Sequence, residues 1–380
     1  MSEIRPFSFE IPEGALHDLR RRLSDVRWPD HQTVDDWSQG APLAYVQDIC
    51  EYWRTDYDWR RCETRLQALP QFITEIDGLD IQFIHLRSKH EDALPLIITH
   101  GWPGSVIEFL DVLGPLTDPT AHGGSAADAF HVVCPTLPGF GFSGKPIKTG
   151  WGIERIGRAW GHIMARLGYT RYVAQGGDWG SAVTHAMALS ETTHCAAMHT
   201  NMPLLAPSPA SMENPTAQEK DALAGFQHYW DWDSGYSKEQ STRPQTVGYG
   251  LVDSPVAQCA WILEKFWCWT DCAGHPENAL TRDQMLDNIM MYWLPGAGAS
   301  SARLYWESFS VLLAPKPPIQ MPAGASIFPR EIFRASKRWC EERYQNLIHY
   351  NVLEHGGHFA AFEQPAIFVD EVRNCFRQVR

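Results

Sequence analysis

Residues 173–183 read VAQGGDWGSAV: a short apolar run, two glycines, an aspartate, a tryptophan, a glycine, a serine and the start of an Ala-rich segment. The order at Gly176, Gly177, Asp178, Trp179 and Gly180 suits a sharp strand-to-helix turn. Residues two before and two after the tip of such a turn must be small, because the helix start packs tightly against the strand. Ser181 does not fit the tip, since Trp179 and Val183 fill its flanking positions. The tip is Asp178. The competing reading is a Gly-rich turn with an aspartate that merely starts a helix. The rest of the chain decides between them.

The flanking sequence alternates strands and helices. QFITEID and LDIQFIHLR, joined at Gly78, read as a hairpin. PLIITHGWPGS is a continuous apolar strand entering a Gly/Pro loop, as in a strand buried on both faces. FHVVCPTLPGFGFSG repeats that pattern, and the helix IERIGRAWGHIMARLG and the strand RYVAQ follow. Such alternation predicts a mostly parallel, doubly wound sheet with its function in the loops beyond the carboxyl ends of the strands. Residues 1–70 read as helices and turns. Leu16, Leu19 and Leu23 have helical spacing before Pro29, and LAYVQDICEYWRTDYDWRRCETRLQAL reads as a second helical stretch closed by Pro70. After about residue 205, Pro, Ser, Trp and Tyr become dense and helices dominate to residue 310; AGASIFPREIF and QNLIHYNVLEHGGHFAAF then restore two strands. The expected organisation is an N-terminal extension over residues 1–75 wrapping a core over 76–205 and 311–380, with a helical lid over 206–310 between the two core segments.

Composition narrows the function. Of 380 residues, 44% are hydrophobic and 20% charged, which describes a globular chain with a substantial core. A net charge of −13 sets nucleic acid and anionic membranes aside as main partners. No segment approaches the roughly 20 apolar residues of a spanning helix, so the chain reads as soluble with no membrane anchor. Nine cysteines without a CxxC pair read as free thiols of a reducing, cytoplasmic compartment. Cys268 and Cys272 could face one another on a helix, but no nearby His or second Cys pair completes a zinc set. With no dinucleotide motif either, neither metal nor other cofactor is expected. The 16 tryptophans suggest an aromatic-lined pocket if several cluster.

Three strand ends carry candidate chemistry: HGWPGS at 100–105, the turn at Asp178, and the late pair formed by Glu331 in FPREI and His355 and His358 in EHGGHFAAF. Acid nucleophile first, second acid next and histidine last is the chain order of α/β-type hydrolases. A carboxylate at the turn attacks an sp³ carbon bearing a leaving group and becomes an alkyl ester. A histidine oriented by the second acid then activates water against that ester. The backbone N–H groups of Trp179 and Trp102 would hold the oxyanion. His358 follows two glycines beyond a strand and is the better base; His355 is the supporting polar residue and His100 a structural one. Glu331 directly follows a strand, whereas Glu341 and Glu342 lie in a charged helix with a solvated face.

Taken together, HGWPGS, PTLPGFGFSGKP, GGDWGS, GGHFAAFEQP, the N-terminal RPFSFEIPEGALHDLRRRLSDVRWPD and the segment from DSGYSKEQ to KFWCWTD resemble the microsomal-type epoxide hydrolases along essentially the whole chain. The resemblance implies an α/β-hydrolase fold with helical lid and N-terminal helical extension, Asp178 as nucleophile, His358 as base and Glu331 as its orienting acid. It also implies two lid tyrosines that protonate the epoxide oxygen, and Tyr236 and Tyr305 are the matching positions. The expected partners are an epoxide of apolar or aromatic character and water, with a homodimer left open. Two other readings are a haloalkane-type dehalogenase using the same ester chemistry and a non-catalytic hydrolase-like binding protein. A serine esterase fails at position 178.

Overall fold

The apolar runs assemble into one nine-stranded sheet in the computed structural model, which describes residues 3–312, 314 and 316–380. In chain order the strands are β1 (Arg5–Pro6), β2 (Gln71–Ile76), β3 (Leu79–Leu86), β4 (Leu94–Thr99), β5 (Phe130–Pro135), β6 (Tyr172–Gly176), β7 (Cys195–Thr200), β8 (Ile319–Ile327) and β9 (Tyr344–Val352). Their spatial order is β1-β2-β3-β5-β4-β6-β7-β8-β9. The first three pairings are antiparallel and all those from β5 to β9 are parallel. The β2–β3 hairpin turns at Asp77 and Gly78, both in the left-handed region with φ of 52° and 79°. Strands β5 and β6 are buried at every residue, which is why they read as unbroken apolar runs.

Strand order fixes where a site can form. β5 lies on one side of β4 and β6 on the other, so the connections leaving β4 and β6 diverge. A crevice opens at the carboxyl ends of such strands. Thr99 of β4 pairs in register with Gly176 of β6, so HGWPGS and the Asp178 turn emerge side by side.

Two strands and one break depart from the sequence reading. β7, CAAMHT, has little strand character of its own but is held between β6 and β8; β1 is a two-residue edge. The second N-terminal helical stretch is two helices, Leu43–Thr55 and Trp59–Gln67, because Asp58 accepts a hydrogen bond from the Arg60 N–H and starts a new helix. Cys272 also lies beyond the end of the helix Pro255–Trp269, so it does not share a helix with Cys268.

Between β7 and β8 the chain makes a helical insertion running from Pro209–Glu213 to Gly298–Leu312. Its helix Arg282–Trp293 grips the loop after β4. Asn288 donates to the Pro103 carbonyl at 2.7 Å, and the Tyr292 hydroxyl donates to the Gly104 carbonyl at 2.6 Å. The N-terminal helices hold that helix in turn, through Tyr57 and Arg61 on Asp287 at 2.7 and 2.9 Å. Among the described residues no helix is long and apolar enough to cross a membrane.

Candidate active site

The turn after β6 forces its own composition. A Cβ on Gly176 would run into the Gly180 backbone, and one on Gly180 into the Thr99 and His100 carbonyls. Asp178 itself sits at φ 49°, a left-handed conformation that costs a non-glycine residue on the order of 1–3 kcal/mol. That strain projects the carboxylate into the crevice, where the bare face of Gly101 makes room for it.

The carboxylate meets two groups on the core side. Trp102 donates its backbone N–H to Asp178 Oδ1 at 2.7 Å, and His358 Nε2 lies 3.3 Å from Oδ2. The Trp179 N–H stands in the first turn of the helix Asp178–Ser190, where such groups lack intrahelical partners; among the described residues it makes no hydrogen bond to the carboxylate. His100 holds the Trp102 loop. Its ring accepts from the Leu137 N–H at 3.2 Å and contacts the Gly101 carbonyl at 3.0 Å, and burial lowers its pKa to about 4.

Glu331 and His358 arrive from the loops after β8 and β9, which a bridge between Arg330 and Gly357 fastens together. His358 Nδ1 lies 2.7 Å from Glu331 Oε1, which also accepts from the Ile332 N–H at 2.7 Å. Glu331 Oε2 is buried with no partner among the described residues. Burial disfavours the His358 imidazolium, but Glu331 and Asp178 together outweigh it and hold its pKa well above the usual histidine range. The His358 backbone N–H donates to the Trp269 carbonyl at 2.9 Å, tying this loop to the insertion. His355 is exposed and takes no part.

On the insertion side Asp178 faces aromatic side chains. The Tyr305 hydroxyl lies 3.4 Å from that of Tyr236, and the Tyr229 hydroxyl 3.2 Å from Tyr236 on its other flank. Burial, reinforced by the charge of Asp178 and by neighbouring phenols, raises Tyr236 and Tyr305 well above the usual tyrosine range, so both stay protonated donors. Trp102 stacks on the Tyr236 ring with centroids 4.6 Å apart, and Lys265 Nζ sits 4.6 Å from the same centroid. Asp178, Met202, Tyr229, Tyr305, Phe309 and Phe333 help line the cavity there. The sequence does not single out Tyr229. Its signal is a tyrosine seven residues before Tyr236, masked by the π-helical turn Tyr229–Asp233.

A mostly parallel sheet with a strained acid at the switch point and a histidine–carboxylate pair on the last two loops is the α/β-hydrolase fold. The sequence matches the alpha/beta hydrolase fold profile over residues 95–243 and that of the epoxide hydrolase N terminus over residues 4–109. The chain is 56% identical to a Stigmatella aurantiaca protein named "Putative epoxide hydrolase", over 99% of this chain and 86% of that one. It is 35% identical to epoxide hydrolase 1 of Sus scrofa, over 97% and 88%. The crystal structure of juvenile hormone epoxide hydrolase from the silkworm Bombyx mori superposes with a TM-score of 0.91 at 30% identity, covering 100% of this chain and 95% of that one. The chain belongs to the epoxide hydrolase family.

Proposed function

We propose that this enzyme opens an epoxide to a vicinal diol through an ester on Asp178, with His358 as base, Glu331 as orienting acid and Tyr236 and Tyr305 as proton donors to the epoxide oxygen. The observation that carries this is the dual exposure of Asp178, whose carboxylate faces the histidine–carboxylate pair on one side and the two phenols on the other. Epoxide oxygen stays tethered as the ring opens and becomes basic, so buried phenols held protonated suit it. The Trp102 N–H, with that of Trp179, would steady the ester's oxyanion during hydrolysis.

The proton count closes on itself. At rest the site holds the Asp178 carboxylate and, given the raised His358 pKa, an imidazolium. Attack by Asp178 breaks the ring C–O bond and leaves an alkoxide, which takes a proton from a phenol; the imidazolium proton makes up the loss. His358 is then neutral and able to accept a proton from water. Hydroxide adds to Asp178 Cγ, the ester C–O bond breaks, and the diol departs with the Asp178 carboxylate and the imidazolium restored.

The insertion over 206–310 is the lid in this reading, set on a core over 76–205 and 311–380 with the extension over 1–75. The apolar and aromatic lining around Phe309 and Phe333 supports an apolar or aromatic substituent on the epoxide. Nine unpaired cysteines support a reducing, cytoplasmic setting. A single turnover in H₂¹⁸O tests the mechanism: the label should enter the peptide containing Asp178 and stay out of the first diol formed. Label in that first diol would mean direct hydration and end the ester reading.

A further inference from the structure

Asp178 separates two cavities. The core-side one is bounded by Asp178, His358, Glu108, Gly104, Asn201 and Phe368. It is small, with room for about one water molecule, as is the lid-side cavity; what sets it apart is its lining, which has His358 and Glu108 in place of the phenols. The ester mechanism gives Asp178 and His358 work there but leaves Glu108 without any.

Glu108 is an odd residue to find in that wall. It is an acid in the run SVIEFLDVL, and its neighbours Val106, Ile107, Phe109 and Leu110 are all buried. Its carboxyl folds back over Gly104 so closely that any side chain at 104 would collide with it. Glu108 is half-buried and lines the chamber. The backbone at Ser105 is its hydrogen-bonding partner, and among the described residues no side chain pairs with it. Burial raises its pKa to about 8, opposed by His358 and assisted by Asp178. Buried carboxyl groups left short of partners are served by ordered water when the space fits one.

We propose that Glu108 positions the hydrolytic water, which donates one hydrogen to His358 Nε2 and the other to a Glu108 oxygen, leaving a lone pair aimed at Cγ of the Asp178 ester. This rests on the ester mechanism above. In the step, the water O–H bond breaks toward His358, the new C–O bond forms at Cγ, and the bond to the substrate oxygen breaks. Glu108 keeps its own protonation state throughout. Water thus waits on the core side while the epoxide occupies the lid side, and neither has to pass the other.

Rapid-quench intact-mass measurements on Glu108→Ala and Glu108→Gln separate the two half-reactions. In both variants the ester should form within about threefold of the parent rate, because attack on the epoxide does not use this water. Ester hydrolysis should fall on the order of 10²-fold in Glu108→Ala, with kcat and KM falling together as ester accumulates. Glutamine retains a carbonyl oxygen that accepts the same hydrogen, so Glu108→Gln should keep hydrolysis within about tenfold of the parent. Equal slowing of both half-reactions, or no ester accumulation in Glu108→Ala, would make Glu108 a packing residue and overturn the assignment. His358→Gln is run alongside. If it accumulates ester while Glu108→Ala does not, the mechanism stands and only Glu108 is misassigned; if it forms none, the ester mechanism falls and this proposal with it.

Discussion

Glu331→Gln tests how the second acid acts, because it removes charge and preserves shape. Both side chains of the pair are essentially inaccessible, at 0% for Glu331 and 2% for His358, and the contact is 2.7 Å. With charge centres about 4 Å apart and an effective dielectric of about 20, the lost attraction is about 4 kcal/mol. Expressed fully in water activation, where the imidazolium forms, that corresponds to a factor of about 10³ in rate. The glutamine oxygen can still accept from His358 and from the Ile332 N–H, so ring orientation should survive. Ester hydrolysis should therefore slow on the order of 10²–10³-fold, and the ester should become the main species in the steady state. Stopped-flow tryptophan fluorescence suits the assay, since Trp102, Trp179 and Trp269 surround Asp178 and His358. The pH profile adds a signature that loss of packing would not give. In the ester His358 must be neutral to act, so hydrolysis rises with pH through its pKa, and removing Glu331 moves that rise to lower pH. Hydrolysis within tenfold of the parent, with an unshifted profile, would refute the role.

Tyr236→Phe and Tyr305→Phe should each slow ester formation, and the double variant should lose on the order of 10²–10⁴-fold in single-turnover assays. Tyr229→Phe, which only removes a hydrogen bond to Tyr236, should cost several-fold at most. Gly180→Ala should abolish activity or folding, because its Cβ meets fixed backbone, whereas Gly14→Ala, with open space around it in the helix Glu13–Ser24, should raise Tm slightly in a thermal melt. Glu108, raised to about 8, Glu363, raised to about 7 by burial, and His358 all have folded pKa values above their unfolded ones. Their contribution to stability is complete below the unfolded values and disappears as pH rises through the folded ones, so for the two carboxyls Tm should fall as pH rises from about 4.5 to about 8, with His358 adding to the fall above its unfolded value. Glu108→Gln cannot ionise and should flatten that drop by an amount on the order of 3 kcal/mol in calorimetry; an unchanged slope would contradict its buried, protonated state.

The parts of this enzyme that could be read in the sequence are those imposed by a local requirement. Gly176 and Gly180 are small because backbone occupies the space of their Cβ atoms, and that steric demand leaves a pattern within five residues. Strands β4, β5 and β6 are buried on both faces and write themselves as apolar runs. Asp178, Glu331 and His358 each lie just beyond the end of a strand, β6, β8 and β9 in turn, so strand-end reasoning reaches them. β7 escaped because CAAMHT is a strand by virtue of its neighbours, and the helix break at Asp58 escaped because apolar spacing continues across it. Tyr236 and Tyr305 could be nominated only through family resemblance. Their hydroxyls meet because helices Gly235–Thr242 and Gly298–Leu312 pack together, a relation that no local pattern encodes. Glu108 is the extreme case. An acid among apolar residues ordinarily marks the wet face of a short helix, whereas this one lines the chamber beside the carboxylate it is inferred to serve. Residues that answer to their own backbone can be read from sequence, whereas those that answer to a distant partner, as Tyr236, Tyr305 and Glu108 do, have to wait for the fold.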